Sequence, residues 1–241
     1  MSINGMHKIN TQGQTIDSVN TKTTSKIEGK ITIPEVNKEN KTETLDFTNI
    51  SPFAKNIDKT TSEVKVSQAD FKYNKGGLKI PVFYQDDYED VKLGPSNIKV
   101  SGCGYTSCAM VASYLSGKKI TPADIAKWGE KYYIPGQGMD WSLIPEVAKH
   151  YDLGKVKEAY LVEDAIEALK EGKPVICSQG PGLFTSEGHI IVLRGIDENG
   201  NILVNDPNIE NAEGKDFKNR SFTPNEIRSA VQYWIFEGKQ E

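Results

Sequence analysis

Cysteine is scarce in this chain of 241 residues: there are three, at positions 103, 108 and 177. An odd, small set cannot form a disulfide framework, so the fold must rest on its core. Histidine is as scarce, with three residues, His7, His150 and His189. No apolar run approaches the ~18–20 residues needed to cross a membrane as a helix. The opening "MSINGMHKINTQGQ" has no apolar stretch after its charges, so no secretory signal peptide is expected. Charge of one sign is also lacking. The formal net charge is −4, from 29 basic and 33 acidic side chains, which excludes the basic footprint of a nucleic-acid binder. Hydrophobic residues make up 37%, low for a wholly globular chain, so part of it is expected to be poorly packed.

That part is the N-terminal third. Residues 1–77 are rich in Thr, Asn, Lys and Ser and contain no Cys or Trp. Alternation in "KIEGKITIPEV" suggests one strand there, and residues 1–25 read as a tail. From Leu78 onward aromatic residues, glycines and apolar periodicity become denser. Gly76-Gly77 is therefore the expected boundary between an N-terminal segment (1–77) and a folded domain (78–241), as a turn, a hinge or a site of cleavage.

Within 78–241, "LKIPVFYQ" reads as a short extended segment. "GCGYTSCAMVASYLSG" reads as a helix starting near Cys103 and closed by Gly117. "TPADIAKWGEKY" is a second helix, with Thr121 as N-cap, Pro122 at its first position and Asp124 in its first turn. "DWSLIPEVAKHYDLG" and "VEDAIEALKEGK" are two more. The period then changes to β-branched and aromatic runs, "PVICSQG", "HIIVLRGID", "NILVNDP" and "AVQYWIFEG". Helices followed by strands predict an α+β domain.

The chemistry gathers around Cys103, which stands between two glycines at the start of a helix. Free N–H groups at a helix N-terminus favour a thiolate, the nucleophilic form of cysteine. An imidazole partner is needed to hold and move the proton. His7 lies in the tail and His150 in the last turn of a helix, where a cation suits the dipole; His189, opening the strand "HIIVLRGID", is left. Asp206 ends the next strand. A four-residue loop at 197–200 places Asp206 opposite Ile191 and diagonal to His189 on one face, within reach of a carboxylate. A tight Asn-Gly hairpin instead moves it opposite Leu193. The triad thus requires the longer loop or a bulge. A metal site is disfavoured, because Cys103 and Cys108 project about 140° apart on a helix, and no cofactor is expected.

"GCGYTSCAMVASYL" resembles the signature of bacterial papain-like cysteine peptidases of the bacteriocin-processing, double-glycine peptidase-like group. The resemblance continues through "YQDDY", "GMDWSLIPEVAKHYDL" and "GHIIVLRGIDENGNILVNDP", spanning roughly residues 79–238. It implies a papain-like fold with Cys103 as nucleophile, His189 as base, Asp206 as orienting residue and Gln85 as oxyanion donor, with Asn97 as the alternative to Gln85. It also implies a peptide or protein substrate, work outside the cell or at its envelope, and cleavage after double glycine, which puts Gly77 forward as a self-processing site. Tyr105 replaces the Pro that usually follows this glycine-cysteine-glycine motif. A monomer hydrolysing peptide or isopeptide bonds is the expectation. Acyl transfer or deamidation on the same triad, and an inactive papain-like binding module, are the alternatives.

Overall fold

The computed structural model describes residues 71–239; the strand expected in "KIEGKITIPEV" and the tail lie outside them. A two-residue strand β1 (Lys72–Tyr73) pairs antiparallel with β2 (Pro81–Val82). Paired backbone thus begins five residues ahead of Gly77. A 3-10 turn, Gln85–Tyr88, follows. Next come the hairpin β3 (Lys92–Leu93) and β4 (Ser96–Asn97), and the one-turn helix α1 (Ile98–Ser101).

Helix α2 (Cys103–Ser116) has ten consecutive buried residues, from Gly104 to Ser113. A helix buried all round belongs at the centre of a fold, not on its surface. It stops at Gly117, whose φ of 68° is the left-handed cap favoured by glycine. Helix α3 (Pro122–Gly129) starts on the expected signals. The Asp124 N–H donates to Thr121 Oγ1 at 3.2 Å, and the Thr121 N–H donates to Asp124 Oδ2 at 2.8 Å, closing a capping box. The hairpin β5 (Tyr133–Ile134) and β6 (Gly138–Met139) leads to α4 (Leu143–His150).

The rest of the chain builds one antiparallel sheet, interrupted by α5 (Val162–Lys170) and the single turn α6 (Pro224–Ile227). Its strands are β7 (Lys155–Ala159), β8 (Val175–Gln179), β9 (His189–Ile196), β10 (Ile202–Asn205), β11 (Ser221–Phe222) and β12 (Ala230–Gly238). They lie in the order β11-β10-β9-β8-β12-β7. Successive side chains of a strand point to opposite faces, and both faces here are covered. Ile176, Ile190, Val192, Trp234 and Phe236 join the core with α2, α3 and α4. Val175, Cys177, Ile191, Leu193, Tyr233 and Ile235 join a second core with Val162, Ala165, Ala168 and Leu169 of α5. Double coverage explains why "HIIVLRGI" reads as a continuous apolar run.

The architecture is α+β and papain-like, as expected. Edge strand β7 was not anticipated. Its sequence KVKEA is mostly exposed, so it carries no apolar alternation. α6 was missed as well, although Thr223 and Glu226 form a capping box legible in "TPNE".

Candidate active site

Cys103 is the first residue of α2 and half-buried. The glycines beside it allow close approach. A Cβ on Gly102 would come within 2.4 Å of the Ile98 carbonyl oxygen, and one on Gly104 within 2.5 Å of Met139 Cε. Ser107 donates its hydroxyl to the Ile190 carbonyl at 3.1 Å, tying α2 to the start of β9. This seam brings the Cys103 thiol within hydrogen-bonding reach of the His189 side chain.

His189 Nε2 lies 2.7 Å from Asp206 Oδ1, with both side chains buried. With Nε2 so engaged, Nδ1 is the ring nitrogen left for another partner. The long-range register follows the bulged alternative. β10 pairs Ile202 with Ile196 and Leu203 with Gly195, then slips one residue to pair Val204 with Leu193 and Asn205 with Val192. Carried one step on, Asp206 stands opposite Ile191 and diagonal to His189.

Electrostatics matches the geometry. Burial alone pushes the Cys103 thiol up. The hydrogen bond and charge of His189, with the backbone N–H groups of Ile190 and Gly104, outweigh it, so the thiol sits below its ordinary value. Burial pulls His189 down, but the Asp206 charge and hydrogen bond and the Cys103 contact overcome this and raise it to about 10. Cys108 and Cys177 are fully buried, and desolvation raises both, Cys177 to about 12. An inert thiol and a thiolate-forming one are thereby distinguished within one helix.

Gln85 is tied to the segments that carry Asp206 and Cys103. Its backbone N–H donates to the Pro207 carbonyl at 2.9 Å, one residue past Asp206. Its side-chain Nε2 donates to the Lys99 carbonyl in the helical turn before Cys103, and its Oε1 is buried with no partner among the described residues. An amide nitrogen has two N–H bonds, so one remains to offer. Asn97 has another occupation: its Oδ1 accepts from the Val100 N–H at 3.0 Å and caps α1.

Asn211, which drew no attention in the sequence, donates from Nδ2 to Asp206 Oδ2 at 3.0 Å and also to the Phe184 carbonyl at 3.0 Å. No local motif marks it, because its role depends on the fold of the 210–214 turn. Tyr105 fills the place of the usual Pro with a fully buried ring whose hydroxyl donates to the Gly129 carbonyl at 3.1 Å. His150 stacks on Trp128 with ring centroids 4.2 Å apart, away from this cluster.

Gly76 and Gly77 are not at Cys103. The Leu78 N–H donates to the Arg194 carbonyl at 2.7 Å, five residues along β9 from His189, or roughly 16 Å. Cutting the Gly77–Leu78 bond within one molecule requires this segment to come away from β9. Among the described residues no helix is long and apolar enough to cross a membrane, and no cluster of three potential metal ligands occurs.

Solved structures and a family model both align with this chain. A C39-like peptidase from Bacillus anthracis aligns with 71% of this chain and 100% of its own, at 17% identity and a TM-score of 0.46. The peptidase domain of Streptococcus ComA, a bifunctional ABC transporter in quorum sensing, covers 58% of this chain and 93% of its own, at 19% identity and 0.46. A double-glycine-motif protease from an AMS/PCAT transporter, solved with a leader peptide, covers 69% and 97%, at 20% and 0.43. No curated protein matches the chain. Residues 77–236 match the Peptidase_C39 like family, and the chain belongs to that family of cysteine peptidases.

Proposed function

We propose that the chain hydrolyses peptide bonds through Cys103, His189 and Asp206, by way of an acyl-enzyme. The observation that carries this reading is the linked pair of contacts on His189, with the thiol on one side and the Asp206 carboxylate on the other at 2.7 Å. In the resting state the proton sits on the imidazole and Cys103 is a thiolate. The sulfur attacks the scissile carbonyl carbon, forming a C–S bond and placing charge on the carbonyl oxygen. The backbone N–H of Cys103 and the free N–H of Gln85 are the donors for that oxyanion. Collapse breaks the C–N bond, and the amine leaves with the Nδ1 proton of His189. A water then gives its proton to His189 while its oxygen attacks the thioester, and the thiolate departs with the acid product released. Asp206 accepts from the Nε2–H and keeps the imidazole oriented.

The test is a peptide library incubated with the purified chain and with Cys103→Ala, the products being read by mass spectrometry. New termini that require Cys103 are the expected result. Equal cleavage by Cys103→Ala would sink the reading. Conversion of glutamine side chains, or transfer to an added amine in place of water, would redirect it to acyl transfer.

A further inference from the structure

The slip in the β9–β10 ladder has one residue at its centre. Gly195 faces Leu203 and Leu193 faces Val204, so Arg194 is the extra residue of a β-bulge. Its effect on the active site is a matter of parity. An unbroken ladder from Ile202–Ile196 would set Asp206 opposite Val192, whose side chain joins the α2 core. His189 lies three residues from Val192 and therefore on the other face. One extra residue on β9 moves Asp206 opposite Ile191, on the face of His189.

A bulge needs something to hold it, and Arg194 is held unusually. Its side chain is 1% exposed, and among the described residues no carboxylate pairs with it. Its guanidinium donates to the carbonyls of Gly76, Lys75 (2.9 Å) and Val204 (3.3 Å). Burial lowers its pKa to about 10. A buried cation deprived of these acceptors would be costly, so the guanidinium and the strap before β2 depend on each other.

The strap is shaped for the contact. Gly77 has φ +61°, and a Cβ there would lie 2.5 Å from the Arg194 carbonyl oxygen. The same strap grips the residues around Asp206. Asn74 donates to Asn205 Oδ1 at 2.9 Å, and Asn205 donates to the Ile80 carbonyl at 3.1 Å.

We propose that Arg194 is a positioning residue for the reaction: its bulge, pinned by the Lys75–Leu78 strap, turns Asp206 onto the face of His189. This rests on the Cys103–His189–Asp206 reading above. It makes Gly76-Gly77 a structural part of the peptidase domain.

The test uses iodoacetamide labelling of Cys103 in the full chain, well below the melting temperature, so that no substrate need be known. Labelling at mildly acidic pH reports the thiolate–imidazolium pair that Asp206 supports. Asp206→Ala is expected to slow it about tenfold, as for the loss of roughly one pKa unit of support. Arg194→Met should do the same alone but add less than about twofold in the Asp206→Ala background, because the two act through one bond. Gly77→Ala, which pushes the strap off while keeping the guanidinium, should move the rate in the same direction. Leu169→Ala, buried on the α5 face, should lower the melting temperature and leave the labelling profile unchanged.

A wild-type profile in Arg194→Met, or full multiplication of its effect with that of Asp206→Ala, overturns the proposal and leaves Arg194 a structural residue. Should Arg194→Met not fold, Gly77→Ala is judged by the same two outcomes. A wild-type profile in Asp206→Ala removes Asp206 from the triad itself, a different result from one confined to Arg194.

Discussion

Asn211 donates to one oxygen of the Asp206 carboxylate at 3.0 Å, while the other oxygen accepts from His189 Nε2 at 2.7 Å and from the Asn208 N–H at 2.8 Å. Two donors besides the imidazole, Asn211 and the Asn208 N–H, thus fix the carboxylate.

This arrangement predicts the outcome of an exchange. In Asp206→Asn the amide oxygen can still accept from His189, but its N–H groups then face those of Asn211. kcat/KM should fall by roughly 10²-fold, in the range for a displaced acid–base group. Adding Asn211→Asp restores an acceptor and should recover at least about tenfold, since a hydrogen bond to a charged group is worth ~1.5–3 kcal/mol. A double variant no better than Asp206→Asn, assayed on one cleaved peptide, would remove Asn211 from the account.

The pH dependence has a definite sign at each end. The Cys103 thiol is held below its ordinary value, so its thiolate survives as pH falls. Iodoacetamide should label it at mildly acidic pH, while Cys108 and Cys177, raised by burial, stay protonated and silent. At the other end His189 is raised to about 10, so the imidazolium that donates to the leaving amine is lost as pH rises through that value, and activity falls with it. The same shift contributes stability that is complete below the ordinary imidazole value of 6.5 and disappears as pH rises through about 10. Labelling of each cysteine, followed by mass spectrometry across about pH 5 to 8, checks the first limb; a thermal melt series at alkaline pH checks the last.

Cys103→Ala should abolish turnover with little change in melting temperature, because the thiol is half-buried at a helix start. Cys108→Ala should do the reverse. It opens a small void in a fully buried site, costing about 1 kcal/mol, and keeps most of the activity. Kinetics and melts of the two variants side by side decide the matter, and reversed behaviour would mean that the nucleophile is Cys108.

Gln85 and Asn97 separate by the kind of damage they cause. Gln85→Ala should lower kcat by roughly 10²-fold with KM little changed, the pattern for an oxyanion donor. Asn97→Ala should cost about 1 kcal/mol of stability through its cap on α1, with kcat near wild type in the folded protein. A normal kcat in Gln85→Ala would assign the oxyanion to backbone donors alone.

Much of this was determined by local sequence. Thr121, Pro122 and Asp124 set the start of α3 by hydrogen bonds three residues apart, and Gly117 ends α2 because the left-handed cap suits a residue without a Cβ. The apolar run "HIIVLRGI" and the glycines around Cys103 were equally legible, since strand period and helix start are encoded within a few residues. What the sequence left open was the side of the sheet on which Asp206 would stand. Loop length alone allowed two registers, and a one-residue slip reverses every side chain beyond it. That choice was made by Arg194, whose bulge depends on carbonyls more than a hundred positions away at Lys75 and Gly76. Asn211 was invisible for the same reason. A buried amide has no local signature, and its meaning comes only when the chain turns back to bring Asp206 and Phe184 within 3.0 Å of it.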